Sequence, residues 1–280
     1  MDKFSEFVRL LHFNPKSLKH PIAWAGHIPF AYWVIEKLKP ATFVELGTHT
    51  GNSYFSFCQS IQEHKTNTKA FAVDTWEGDV HAGHYNDSIF DDVNRTNLEY
   101  SSFSTLLRTT FDSALEQFDD GSVDLLHIDG LHTYEAVKHD FETWLPKMSG
   151  RGVVLFHDTN VRRDDFGVYR LWSELSSEYN SLEFFHSYGL GILEISKGPN
   201  LVIPVEEEKK NELRELFELL SDQVLIRFER DLLLAERKSQ FDHIFNSGSW
   251  KITSGLRFLW GAFLGVSTNL KRLQASLTRK

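Results

Sequence analysis

The 280-residue chain holds one cysteine, two methionines and seven prolines. A lone Cys58 excludes an intrachain disulfide and fits a reducing compartment, with the cytosol as the default expectation. No stretch reaches the ~18 consecutive apolar residues of a membrane span. The first residues, MDKFSEFVRLLHF, break their apolar positions with charges, so no signal-peptide core is read there. Positive charge is also short: 30 Lys and Arg face 39 Asp and Glu, for a formal charge of −9. That balance excludes a general nucleic-acid binder, which gains affinity by neutralising phosphates. The shortage is uneven, because residues 246–280 carry six Lys or Arg and no acid, and setting these aside leaves −15 on the rest.

Four of the prolines (Pro15, Pro21, Pro29, Pro40) fall in the first 40 residues. They bracket two apolar-periodic pieces, 4–11 and 30–38, which are expected to be short helices leading into the core, the second ended by Pro40. Beyond them, apolar runs at 42–46, 69–73, 105–107, 123–128 and 152–156 alternate with helical periodicities at 54–61, 112–118, 134–145 and 166–175. The segments 182–185 and 191–195 suit a closing antiparallel pair. This predicts an α/β domain over roughly 41–200, with a doubly wound, mostly parallel sheet of seven strands in a Rossmann-like arrangement. Residues 75–100 read as a long polar and aromatic loop, a length that is usually functional. After Pro204, Leu213, Phe217, Leu220, Val224 and Phe228 recur at spacings of three and four. That predicts an amphipathic helix over 205–245 that packs on the domain or pairs in a homo-oligomer. In the basic tail, 246–280, the apolar run 256–266 is too short at about 11 residues to span a bilayer and suits a membrane-surface or partner-protein contact.

Two stretches carry candidate chemistry. The first is Glu45-Leu-Gly-Thr-His-Thr-Gly51 between a strand and a helix, where Gly47 permits a sharp turn and Gly51 a close helix approach beside a ligand. A dinucleotide fingerprint would need glycine where His49 stands. Asp74, at the next strand end, is placed to accept ribose hydroxyls, or else simply caps a turn. The second stretch is 123–160, in which two neighbouring strands deliver Asp129, with His132 just beyond, and His157 with Asp158. Both acids could reach one Mg²⁺, and imidazole suits Mn²⁺ or Fe²⁺ better. His132 could take a proton from a substrate hydroxyl or only cap its helix, and His157 could ligate or be a satisfied sheet-end histidine. Residues 74–85 should arch over the same crevice, with Trp76 and Tyr85 offering faces to a sugar ring and Glu77 and Asp79 binding hydroxyls.

The glycine loop resembles the opening motif of class I S-adenosylmethionine (SAM)-dependent methyltransferases. HIDGLHTYEAVKHDF followed by GVVLFHDT resembles metal-dependent sugar O-methyltransferases of macrolide pathways and the related cephalosporin-hydroxylase-like family. The resemblance implies SAM as cofactor, held by Glu45, Gly47, Thr48, Gly51, Asp74, Trp76, Asp112 and Asp129. It also implies a divalent Mg or Mn held by Asp129, His157 and Asp158, with His132 as catalytic base. Macrolide enzymes with Glu before the second Asp have a carboxylate where this chain has His157. The tail SGSWKITSGLRFLW is similar to tails of bacterial surface-polysaccharide proteins, which implies a glycan or glycosylated small-molecule substrate and a place in the cytoplasm, peripheral to the inner membrane face. A hydroxylase-like relative with a redox metal and a non-catalytic scaffold are the other readings.

Overall fold

The computed structural model describes residues 3–81, 83–195, 202–253, 255 and 260. The chain divides into two compact units, Met1–Ile226 and Arg227–Lys280.

In the first unit, α1 (Lys3–His12) and α2 (Ile28–Leu38) precede β1 (Thr42–Leu46), α3 (Asn52–His64) and β2 (Lys69–Asp74). A small ribbon of β3 (Gly78–Asp79) and β4 (Gly83–His84) is followed by α4 (Ser88–Asn97), β5 (Ser104–Arg108), α5 (Phe111–Ala114), β6 (Val123–Ile128) and α6 (Tyr134–Trp144). Then come β7 (Met148–His157), α7 (Val168–Leu175), β8 (Asn180–Phe184) and β9 (Leu190–Glu194). The main sheet has seven strands in the order β5-β2-β1-β6-β7-β9-β8. The first five are parallel, and β9 pairs antiparallel with both β7 and β8. The expected fold class is therefore observed.

Strand periodicity explains the two layers. Leu125, Val153 and Leu155 point to one face, against α2 and α3, where Phe30, Val34, Tyr54 and Phe57 are buried. Leu126, Ile128, Val154 and Phe156 point to the other, against Phe141 and Trp144 of α6 and Leu171 and Trp172 of α7. All six residues of β6 are buried, and its two polar ones are paired: Asp124 accepts from the Ala41 amide and the Ser149 hydroxyl, and His127 meets Glu45.

Three local expectations are corrected. The long loop contains a helix, α4, which buries Val93 and Asn97 and packs Ile89 and Phe90 beside them, a stripe of only three apolar residues among polar ones. The helix expected at 112–118 with an Asp cap is a short α5 capped by Thr110, whose extended backbone lets its hydroxyl accept from the Ser113 amide. It continues as a 3₁₀ turn at Leu115–Gln117. The strand expected at 152–156 starts earlier, at Met148.

A long helix, α8 (Glu207–Asn246), follows. Its Phe217, Leu220 and Val224 are buried in the first unit's core, with Leu213 packed beside them, as the stripe predicted. In the second unit, residues 229–246 of the helix are exposed and α9 (Gly248–Ile252) is capped by Ser247. The apolar run 256–266, Trp260 apart, lies outside the described residues. Among the described residues no helix is long and apolar enough to cross a membrane.

Candidate active site

The sheet order places β1 beside β6 and reverses the direction of winding there. The crevice beyond the carboxyl ends of those strands is where open α/β sheets bind ligands. A cavity of about 360 Å³ opens at this place, within the range of small-molecule sites. Its floor is Gly47, Thr48 and His49 from the β1 turn, Asp74 from β2, and Asp129, Gly130, His157 and Asp158 from β6 and β7. The walls come from Pro21, Ala23 and Trp24, from Thr110 and Phe111, and from Thr75, Gly78, Asp79 and Tyr85.

The glycine loop is built for close approach. Gly47 has φ +86°, and a Cβ there would lie 2.1 Å from the Asp129 carbonyl oxygen. Asp74 organises the loop: its Oδ2 accepts from the amides of Thr48 and His49 at 2.9 Å each, and its Oδ1 accepts from the Trp76 amide at 2.6 Å. The Asp74 carboxylate still borders the cavity, so one group shapes the turn and faces the open space. The Thr48 hydroxyl is buried with no partner among the described residues, a polar atom that a bound molecule would satisfy. Backbone strain gathers here as well, since His49 (φ 48°), Trp76 (φ 53°) and Asp158 (φ 61°) are left-handed without being glycine.

Four other residues expected around the cofactor, Glu45, Gly51, Trp76 and Asp112, stand apart from the cavity lining. Glu45 is fully buried and accepts from His127 Nδ1 at 2.8 Å, while Trp24 Nε1 donates to His127 Nε2 at 3.1 Å. Burial pushes the Glu45 carboxyl up despite the His127 hydrogen bond. This chain ties the N-terminal segment to β1. Trp76 is turned into the fold, its indole donating to the His49 carbonyl at 3.0 Å, so of the two lid aromatics only Tyr85 faces the cavity. Asp112 is exposed and bonds His139 at 2.8 Å, while its neighbours Thr110 and Phe111 line the site. Gly51, at φ +82°, is the N-cap of α3.

Beyond β6 and β7 the cavity is lined by a cluster of two carboxylates and two imidazoles. His132 Nε2 lies 2.9 Å from Asp158 Oδ2 and 3.5 Å from Asp129 Oδ1. His157 Nδ1 lies 3.1 Å from Asp129 Oδ1 and 3.6 Å from Asp158 Oδ1. The other nitrogen of His157 meets the Ser187 carbonyl at 3.2 Å, which that ring satisfies as a donor. Burial works against charge on both rings, but the adjacent Asp129 and Asp158 outweigh it, pushing His132 up to about 10 and His157 up to about 9. Burial likewise opposes the Asp129 charge, yet His157 and His132 hold that carboxyl well below its usual range.

The donor set fits a cation: ligand atoms of Asp129, His132 and Asp158 all lie within 4.8 Å of one another. Two oxygens with an imidazole nitrogen suit Mn²⁺ at least as well as Mg²⁺. His132 thus joins the group geometrically, beside the expected Asp129 and Asp158, and His157 stands directly behind.

Sequence reasoning passed over Pro21, Ala23 and Trp24, since nothing in that proline-rich lead-in marks a cavity wall. It also missed Asp165 and Phe166, which reach His81 and His132 only through the tertiary fold.

Residues 44–159 match the family model described as Methyltransferase domain. A Sinorhizobium fredii (strain NBRC 101917 / NGR234) protein described as uncharacterized protein y4gI is 50% identical over 190 residues, covering 66% of this chain and 20% of that relative. The chain thus spans about a fifth of the length of the curated relative it matches. Among solved structures, the SAH-bound methyltransferase PaMTH1 of Podospora anserina aligns at 12% identity over 67% of this chain and 86% of its own, with a TM-score of 0.47. The SAM-bound O-methyltransferase TomG of Streptomyces achromogenes aligns at 11% identity over 70% and 90%, also with a TM-score of 0.47.

Proposed function

We propose that this chain, whose residues 44–159 match a methyltransferase-domain model, transfers a methyl group from SAM to a hydroxyl oxygen with the help of a divalent cation. The observation that carries this reading is the meeting, in one cavity, of the Gly47 turn, Asp74 and the Asp129, His132 and Asp158 cluster. SAM would lie along the Gly47 and Thr48 backbone with its ribose toward Asp74, and its adenine between Thr110 and Phe111. When bound, SAM supplies a methyl carbon on a sulfonium sulfur and the cation supplies positive charge beside the acceptor oxygen.

The protein's own part is orientation and proton handling. His132 Nε2 is the nitrogen that faces the carboxylates, and it would take the hydroxyl proton as the oxygen attacks in line. The C–O bond forms as the C–S bond breaks, its electron pair stays on sulfur as S-adenosylhomocysteine, and the proton remains on His132. Asp129 and Asp158 would hold the cation and keep the resulting imidazolium stable. His157, anchored on Ser187, would be a further ligand through Nδ1 or a fixed donor to Asp129.

The acceptor we favour is a sugar hydroxyl of a bacterial glycan or glycosylated metabolite. Tyr85 and Asp79 on the cavity wall support it, because an aromatic face and a carboxylate suit a sugar ring and its hydroxyls. The test is S-adenosylhomocysteine formation from SAM and Mn²⁺ against panels of glycosides, sugar nucleotides and catechols. Turnover restricted to catechols would remove the sugar, and turnover indifferent to chelators would remove the cation.

A further inference from the structure

We propose that His81 is a positioning residue for His132, selecting the tautomer whose Nε2 is free to take a proton or bind a cation. The inference rests on the reading of His132 given above. His81 lies between β3 and β4, yet its side chain is only 10% exposed. Its Nδ1 sits 3.3 Å from His132 Nδ1, and its Nε2 sits 2.7 Å from Asp165 Oδ1. Both imidazoles stack on Phe166, at centroid distances of 4.6 Å for His81 and 4.7 Å for His132, the latter at an interplanar angle of 4°.

Three separate segments are needed to make this arrangement. The Asp79 carboxylate accepts from the His81 amide at 2.7 Å, setting the ribbon turn. Phe166 is placed by its bridge to Thr133 and by the Gly167 amide, which donates to the His132 carbonyl at 2.7 Å. Asp165 follows as the residue beside Phe166.

The proton count decides the tautomer. Asp165 is a carboxylate and accepts only, so His81 must carry its hydrogen on Nε2. A neutral His81 then presents a bare Nδ1, which accepts from His132. A neutral His132 therefore keeps its hydrogen on Nδ1 and leaves Nε2 bare toward Asp129 and Asp158. Among the described residues, His81 is the hydrogen-bond partner of His132 Nδ1, so its loss would remove the preference for this tautomer. This is the role an outer hydrogen-bond partner plays for a ligating or reacting histidine, and losing such a partner typically costs 10–100-fold.

The test uses the full chain, as wild type and as His81→Phe, His81→Gln and Asp165→Ala. His81→Phe keeps a ring against Phe166 and removes the acceptor, whereas His81→Gln restores an acceptor. Turnover should fall by roughly 10–100-fold in His81→Phe, with S-adenosylhomocysteine affinity within about twofold, and recover in large part in His81→Gln. Asp165→Ala should lower turnover alone and add nothing in the His81→Phe background.

A readout apart from turnover comes from ¹⁵N-histidine spectra of Zn²⁺-loaded protein. His132 should ligate through Nε2 in wild type and through a mixture of nitrogens in His81→Phe. Nδ1 ligation, no change at His132 on adding Zn²⁺, or spectra identical in His81→Phe would overturn the inference. Turnover that survives His132→Ala while the Nε2 assignment holds would instead remove the base role and leave the positioning intact.

Discussion

A divalent cation entering the Asp129, His132 and Asp158 cluster should expel protons, and the pH dependence of its affinity should show it. With His132 at about 10 and His157 at about 9, both rings are charged at pH 7.5 when only protein groups surround them. A cation held by Asp129 and Asp158 would neutralise the carboxylates that keep the His132 imidazolium charged and repel it, so its entry should expel the Nε2 proton. Removing that proton at pH 7.5 costs about 3 kcal/mol, from 1.36 kcal/mol for each pH unit below the pKa. The sign follows directly: the folded-state pKa is raised, so the competing proton is held more firmly as pH falls and the cation binds more weakly. One proton released per ion gives roughly tenfold tighter binding per pH unit, or about 100-fold between pH 6.5 and 8.5, and more if His157 also lets go. Calorimetric titration of Mn²⁺ at pH 6.5, 7.5 and 8.5, in buffers of different ionisation heat, reads both the slope and the protons. His132→Ala should flatten the slope. An affinity that changes less than about threefold over this range, with heats independent of buffer, would refute the cluster as a cation site built on these histidines.

Further outcomes follow from other groups. Burial, with Asp112 nearby, pushes Asp140 up to about 7 against the pull of His139. The folded state thus favours the protonated form, and stability is lost as pH rises from about 4 to 7; Asp140→Asn should add about 1–4 kcal/mol at pH 8 and little at pH 4, read by urea denaturation. Cys58 is fully buried and burial raises its thiol pKa, so a disulfide-exchange reagent should modify it only as the protein unfolds, and prompt reaction in the native state would contradict the packing. Trp144 is fully buried between α6 and the sheet, so Trp144→Ala should cost about 3–5 kcal/mol in denaturant titration. Asp158→Ala should leave S-adenosylhomocysteine affinity within a few-fold while lowering Mn²⁺ affinity and turnover by at least about 10-fold.

Much of this molecule could be read from residue order because its key features are local. Each parallel strand is a short apolar run, and an acid just past the run must lie at the ligand edge, which placed Asp74, Asp129 and Asp158 in one cavity. The amphipathic stripe of Phe217, Leu220 and Val224 was legible for the same reason. What was hidden depends on competition or on distant convergence. Helix α4 has only Ile89, Phe90 and Val93 as its apolar stripe, a short patch within a long polar segment. Thr110 rather than Asp112 caps α5 because the cap needs an extended backbone one residue before the first turn. Trp76 follows a strand-end acid and reads as a ligand face, yet its amide is captured by Asp74 and its ring is drawn under the loop. The contacts joining His81, His132 and Asp165 span three segments, and no spacing rule connects them.

The central claim is that the strand-end cavity is a SAM site, and binding of the product tests it without knowledge of the acceptor. Titration of S-adenosylhomocysteine into the full chain should give a saturable single-site heat in the micromolar range, weakened at least about tenfold in Asp74→Ala. No binding heat up to millimolar ligand would contradict the account.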